Sequence, residues 1–310
     1  MLALWGLGVL TCHLAASAMV TPPQCVQGVR PWFVTTPSCS LLELNCKREQ
    51  VVGTADEVDH ILSTVYAPSL AYLVVRHCPA LSIPPRIRQL LLLVGLKVHN
   101  SVLVDWPSNA RLNAHDHDRM RFLVFVDVNM TRLPDGLMGK DFPPLLGDIE
   151  FCISNLTSLP DNLSTTWTGL AYFILERAPL DTFPDVLMRL GIQVLSLGGN
   201  AISTVPTWMF DGPLMREVYL NGNPISSIPE LDPGLEVAVN MFRIALDSTN
   251  VSTLPSWMTP KLMEGVFVSL GNTPWCSHQP TAPAAEIACV PLSEDDFTLY
   301  PLYLEKDTSL

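Results

Sequence analysis

Hydrophobic positions recur along this chain in one short unit. Ile192, Leu195 and Leu197 mark it, followed by Gly198-Gly199-Asn200, then Ile202 and Val205-Pro206. The next copy reads Met215, Val218 and Leu220, followed by Asn221-Gly222-Asn223, Ile225 and Ile228-Pro229. Aligned on the place of Asn200, nine copies have anchors at Cys78, Ser101, Val128, Ser154, Ala178, Asn200, Asn223, Thr249 and Thr273, spaced 22 to 27 residues apart. Eight residues before the anchor stand Leu70, Leu93, Met120, Leu146, Leu170, Ile192, Met215 and Met241, and only the ninth copy breaks the rule, with Gly265. After the anchor the first eight copies give Ile83-Pro84, Trp106-Pro107, Leu133-Pro134, Leu159-Pro160, Phe183-Pro184, Val205-Pro206, Ile228-Pro229 and Leu254-Pro255. Each apolar-x-apolar triplet alternates with period two, which predicts a short strand with one buried face. The prolines forbid long helices between the strands and favour extended or 3₁₀ segments.

A period of about 20–29 residues with this pattern is that of leucine-rich repeats. The predicted fold class is therefore α/β: a leucine-rich repeat solenoid, or horseshoe. It has a curved parallel β-sheet on its concave face, a short 3₁₀ or irregular convex side, and caps at both ends. One repeat cannot bury its leucines alone, but stacked repeats can. Nine strands about 4.8 Å apart make a sheet on the order of 40 Å long. At the anchor, Asn offers an amide donor to a buried carbonyl, Ser and Thr a hydroxyl, and Cys a weak thiol. Val128 and Ala178 offer none, so those two turns need another partner.

Four segments follow. Residues 1–18 are a leader, 19–69 an N-terminal cap, 70–275 the nine repeats, and 276–310 a C-terminal cap and tail. The first 18 residues lack Lys, Arg, Asp and Glu, Leu2 to Leu14 is mostly apolar, and Ala16-Ser17-Ala18 is an A-x-A site. That describes a signal peptide cleaved before Met19, or alternatively a retained membrane segment of marginal length. In the N-terminal cap, Thr54-Ala55-Asp56-Glu57 is a capping box ahead of Val58, Ile61 and Leu62, predicting a helix over about 55–65. The tail is acidic at Glu294-Asp295-Asp296 and aromatic at Tyr300 and Tyr303; it either packs back on the last repeat or is a linker.

With 48% hydrophobic and 15% charged residues among 310, the chain is packed rather than disordered. A net charge of −12 speaks against a nucleic-acid ligand, since phosphate needs a basic surface. Beyond Cys12 in the leader, seven cysteines remain. Cys276 and Cys289 are expected to pair across the C-terminal cap, and one pair is expected among Cys25, Cys39 and Cys46, with the choice open. Cys78, at an anchor, reads as a small core residue, and Cys152 is expected on the concave face. Asn129, Asn155, Asn162 and Asn250 head N-x-Ser/Thr sequons. Three of them share the register one past the anchor. All this suits a secreted or cell-surface glycoprotein.

Hydrolase, nucleotide-binding, metalloprotease and kinase motifs are missing, so the chain is not expected to be an enzyme and no cofactor or metal is expected. His115-Asp116-His117-Asp118 has the residue types of a metal site, but between repeats it reads as a solvated loop. The candidate ligand-binding residues are those within and just after each buried triplet: Arg76, His77, Lys97, His99, Asp127, Glu150, Glu176, Arg177, Tyr219 and Asn221. The same rows also hold Val124, Val126, Cys152, Ile174, Ser196, Ala245, Asp247 and Ser269. Basic groups come first along the array and acidic ones follow. A mixed surface on a rigid sheet suits a protein or peptide ligand.

Cap and repeats together resemble a family of surface leucine-rich repeat proteins abundant in oomycetes. The resemblance rests on Pro23-Gln24-Cys25, Val29-Arg30-Pro31-Trp32 and the run Cys39 to Cys46 in the cap. In the array it rests on Arg76-His77-Cys78-Pro79-Ala80-Leu81 and on Asp141-Phe142-Pro143-Pro144 with Asp148-Ile149-Glu150. Gly271-Asn272-Thr273-Pro274-Trp275-Cys276 carries it at the far end. It implies a membrane helix ahead of the cap, no catalytic residues, and no defined ligand. The expected function is an extracellular or cell-surface module that recognises a protein or peptide through its concave face. A receptor role would draw on a membrane co-receptor. The alternative is a glycosylated structural surface protein without a dedicated ligand.

Overall fold

The computed structural model describes residues 2–211, 214–232, 234, 240–258, 265–278, 287–290, 293, 298–303 and 305. The acidic run Glu294 to Asp296 lies outside the described residues. The chain forms two compact units, Met1–Leu146 and Gly147–Leu310, holding three and six of the repeat strands.

In the first unit, the leader is helix α1 (Leu2–Ser17). Its apolar side chains face solvent, with Leu2 89% and Trp5 73% exposed. No described helix is long and apolar enough to cross a membrane. Strand β1 (Cys25–Val29) runs antiparallel to β2 (Ser38–Asn45). Asn45 caps the short helix α2 (Cys46–Glu49) by accepting from Arg48 N–H. Helix α3 (Ala55–Ser63) begins at the capping box, where the Thr54 hydroxyl accepts from Glu57 N–H and the Glu57 carboxylate accepts in return from Thr54 N–H. It buries Val58, Ile61 and Leu62.

Strands β3 (Tyr72–Arg76), β5 (Gly95–Asp105) and β6 (Phe122–Asn129) follow in parallel, with β2 already in register beside β3. Leu73, Leu96 and Leu123 align on the buried face, as do Val75, Val98 and Phe125. The two-residue β4 (Leu81–Ser82) pairs with the far half of β5.

The recurrent prolines act as starters. Pro84, Pro107 and Pro134 hold extended backbone and open 3₁₀ turns at Pro85–Gln89, Ser108–Ala110 and Asp135–Leu137. Proline presets the φ that such an entry needs and gives up an N–H that has no partner there. Trp106 fills the place where other repeats have Ile, Leu, Phe or Val. A Cβ on Gly136, in the following turn, would stand 2.0 Å from its indole. That glycine is what lets the larger ring fit, and the indole N–H donates to Ala110 O at 2.8 Å.

The second unit stacks β7 (Asp148–Ser154), β8 (Tyr172–Glu176), β9 (Val194–Ser196), β10 (Glu217–Tyr219), β11 (Arg243–Ala245), β12 (Phe267–Ser269) and β13 (Ile287–Ala288), each parallel to the next. Phe173, Leu195, Val218, Ile244 and Val268 share one register and are fully buried. In each unit the cap thus adds a parallel strand of its own to the repeat strands, β2 in the first and β13 in the second, which the repeat pattern does not contain.

One backbone feature recurs in every repeat. The residue before the anchor is left-handed at His77, Asn100, Asp127, Ile153, Arg177, Gly199, Gly222, Ser248 and Asn272, with φ from +42° to +68°. The chain turns off the strand there. The anchor then pins the turn. Asn200 donates to Leu175 O and Leu197 O at 2.8 Å and accepts from Ala178 N–H at 2.9 Å. This also supplies the partner that Ala178 itself lacks. Asn223 repeats the arrangement with Leu197 O, Leu220 O and Ile202 N–H. Thr249 and Thr273 manage one carbonyl each.

Three disulfides close the ends: Cys25–Cys39, Cys46–Cys78 and Cys276–Cys289. The reading of Cys78 as a plain core residue needs correction. It is fully buried at its anchor, yet its sulfur is bonded to Cys46 and ties the cap to the first repeat. A Cβ on Gly53 would meet the Cys78 Cβ at 3.0 Å, so that glycine leaves room for the bridge.

Candidate binding surface

In the first unit three rows of side chains face away from the core. The lower row is Leu41, Tyr72, Gly95 and Phe122; the middle is Glu43, Val74, Lys97 and Val124; the upper is Asn45, Arg76, His99 and Val126. Gly95 shapes the lower row. A Cβ there would lie 2.1 Å from the Phe122 ring, so its absence lets Phe122 lie across β5 and stack on Tyr72 at 6.2 Å between centroids. Above this aromatic pair the charged groups converge. Arg76 stands 3.7 Å from the Glu43 carboxylate and 3.5 Å from Nδ1 of His99, whose ring meets the edge of His77 at 5.7 Å. The structure therefore brings together Arg76, His77 and His99, and adds Glu43, which the repeat pattern misses because it belongs to the cap strand. Lys97 lies in the row beside them, half-buried. His99 is buried rather than exposed, at 7%.

The second unit differs. On the outward rows of β7, β8 and β9 stand Glu150, Cys152, Ile174, Glu176 and Ser196. Glu176, expected as an exposed ligand contact, is fully buried. Its carboxylate accepts from the Ser196 hydroxyl, from Leu299 N–H at 2.6 Å and from Tyr300 N–H at 3.1 Å. Leu299 and Tyr300 of the tail thus meet β8, with Leu299 123 residues away in sequence. Burial pushes Glu176 up to about 7, against the hydrogen bonds from Ser196, Leu299 and Tyr300 that favour the anion. Cys152 stands on the outward row beside Glu176 but is also fully buried. Burial, and then the charge of Glu176, drive its thiol far above the usual range, so it is a poor nucleophile.

Further along, the Tyr219 hydroxyl donates to Glu217 at 2.5 Å. The Arg243 guanidinium stands 5.9 Å from the Tyr219 ring and 5.0 Å from the Phe267 ring, within cation–π reach. Asn221, a predicted contact, is instead 4% exposed and structural, accepting from Asp247 N–H at 3.0 Å. Asp247, fully buried, accepts in turn from the Ser269 hydroxyl at 2.5 Å and Gly271 N–H at 2.8 Å. Burial raises it above the ordinary aspartate range.

His77, Asp127 and Arg177 occupy left-handed positions; His77 and Arg177 directly follow β3 and β8, and Asp127 interrupts β6 two residues before its end. The His115 to Asp118 segment is not a solvated loop throughout. His117 is fully buried, with Nε2 at 3.1 Å from Ile87 O and Nδ1 accepting from Asn113 N–H at 3.3 Å. That pattern is a neutral imidazole used as a strut. Burial would raise Asp116, but hydrogen bonds from Asn113, His115 and Arg88 outweigh it and hold the carboxyl well below its ordinary value. No group of metal-binding side chains is present among the described residues. Asn129, Asn162 and Asn250 are exposed and Asn155 half-buried. The three register-matched asparagines each follow a left-handed turn by two residues.

No family model matches the chain, and no curated protein matches it. Solved structures do. InlP of Listeria monocytogenes aligns at 16% identity over 75% of this chain and 62% of its own, with a TM-score of 0.54. TLR13, in its complex with ssRNA13, aligns at 15% identity over 76% of this chain and 36% of its own, also at 0.54. A leucine-rich repeat protein of Leptospira interrogans aligns at 15% identity over 66% of this chain and 67% of its own, at 0.47. At such identities the likeness is one of fold. Parallel strands recurring at the leucine-rich period, with a left-handed turn in each of the nine repeats, make this a leucine-rich repeat fold.

Proposed function

We propose that this chain is an extracellular or cell-surface binding module that recognises a protein or peptide through the outward rows of its sheets. The observation that carries it is local charge. In a chain of net charge −12, Arg76 and Lys97 stand on adjacent strands, with the single acid Glu43 beside Arg76, above the stacked Tyr72 and Phe122. Aromatic and arginine side chains on a rigid surface are the usual anchors of protein recognition. The expected partner is an acidic protein or peptide segment. Repeat proteins commonly bind through such extended faces. Three disulfides support an oxidising compartment, and four sequons fit the same reading, as does the resemblance to oomycete surface proteins. Catalysis has no support from the buried Cys152 thiol or from Glu176, whose oxygens are taken by hydrogen bonds.

The test is a screen of acidic peptides and secreted proteins against the chain. Candidates are then re-measured against Lys97→Glu and Arg76→Glu, with melting curves to confirm folding. Loss of about tenfold or more in affinity on reversal at Lys97 supports the reading. A saturable partner indifferent to both reversals removes the face from the account, and no saturable partner at all favours a purely structural surface protein.

A further inference from the structure

The outward row around β8 is already occupied by a peptide, and that peptide is the chain's own. Cys152, Glu176 and Ser196 are fully buried and Ile174 is 4% exposed, although all four stand on the side of the sheet that faces away from the leucine core. At Glu176 the cover is visible directly. Its two carboxylate oxygens take two consecutive main-chain amides, Leu299 N–H at 2.6 Å and Tyr300 N–H at 3.1 Å. Such a contact reads backbone, not side chains, and any extended segment could make it. Selectivity comes from the ring of Tyr300, which is 8% exposed and whose hydroxyl donates to Glu305 at 2.6 Å.

The hold is narrow. Leu299 is 37% and Tyr303 69% exposed, and residues 298–305 form no strand ladder among the described residues. Beneath the contact lies a carboxylate that water would solvate gladly, so burying it opposes closure. A segment that meets such a group through main-chain amides, which another extended peptide also carries, is suited to exchange.

We propose that the segment around Leu299 and Tyr300 is a displaceable strap, an internal pseudo-ligand that closes the outward face of β8 at Glu176 until an external extended peptide with an aromatic side chain takes the place of Tyr300. The proposal rests on the reading of the outward rows as a binding surface, and it names the peptide class the second unit accepts.

Cys152 reports on the strap, because its thiol shares the Glu176 Oε2 atom, at 3.9 Å, with the Tyr300 amide. Alkylation of Cys152 by a maleimide is followed by mass spectrometry in the full chain with its disulfides intact. A Cys12→Ser background removes the other free thiol. Tyr300→Ala should raise the alkylation rate at least about tenfold. The blocked hexapeptide Thr-Leu-Tyr-Pro-Leu-Tyr, carrying a fluorophore, should bind this variant at least about tenfold more tightly than the unaltered chain. Its binding should protect Cys152 again, and adding Glu176→Gln should abolish that protection. Should Tyr300→Ala fail to fold by circular dichroism, Leu299→Pro removes one of the two amide donors, leaves the ring in place, and is judged by the same criteria. An unchanged alkylation rate means the strap is a fixed part of the fold and overturns the proposal. So does a raised rate with no peptide binding. Either result combined with affinity loss on Lys97→Glu overturns the strap alone; combined with no partner for the first unit, it overturns the binding reading as well.

Discussion

The position before each anchor is where this fold asks most of a single residue. Nine repeats turn there with positive φ, a conformation that suits Gly and Asn and strains β-branched side chains. Gly199, Gly222, Asn100 and Asn272 advertise it; His77, Asp127, Arg177, Ser248 and Ile153 conceal it. The sequence made three of these look like ligand contacts because a charged residue beside a strand is ambiguous until its φ is known. Ile153 is the outlier. Ile153→Gly should stabilise the chain by about 1 kcal/mol, read as a higher urea midpoint; a lower midpoint would mean its side-chain contacts outweigh the strain. Asn200 is the opposite case. Asn200→Ala strands two carbonyls and one N–H that it now satisfies, and should cost roughly 3 kcal/mol or more. A cost below about 1 kcal/mol would show that water replaces it.

Glu176 gives a residue-scale prediction in pH. Its carboxyl is raised from 4.5 to about 7 in the folded chain. A raised acid contributes stability that is fully present below its unfolded value and is lost as pH rises through the folded one. Asp148, raised by burial to about 6, acts in the same sense. His117, lowered mainly by burial, acts in the opposite sense below its ordinary value. The measurement is therefore the difference in stability between the chain and Glu176→Gln, in which His117 and Asp148 largely cancel. That difference should fall by up to about 3 kcal/mol between pH 4.5 and 8. A difference that grows with pH would contradict the burial of Glu176.

At the scale of elements, strands and turns were legible and the ties between them were not. The apolar triplets located the buried face, and the prolines located the 3₁₀ turns, because both follow from local sterics. The cap strands β2 and β13 were missed, since neither carries the full repeat. The Cys46–Cys78 bridge was missed because Cys78 fits its anchor well as a small apolar group. Replacing both cysteines by Ser should cost about 2–5 kcal/mol in a urea titration and loosen α2 and α3 selectively. Hydrogen exchange in Val58, Ile61 and Leu62 reads that loosening, and unchanged protection there would mean the cap is held by its apolar contacts alone.

At the scale of the molecule, the two units use one repeat for different surfaces. The first presents Arg76 and Lys97 over an aromatic pair; the second covers Glu176 with its own tail. The tail contact joins residues 123 apart, and no local pattern encodes such a distance. Only the acid Glu176 between Cys152 and Ser196 in the outward row and the Tyr300 to Tyr303 run hinted at it. If the chain is secreted, Asn129, Asn162 and Asn250 should carry glycans, read as a loss of mass on enzymatic deglycosylation; unmodified asparagines in a secreted preparation would remove that part of the proposal. The measurement that tests the central claim most directly is the affinity of an acidic peptide partner for the chain and for Lys97→Glu at matched folding and ionic strength. The account predicts a loss of about tenfold or more that shrinks as salt rises. Equal affinity for both would contradict it.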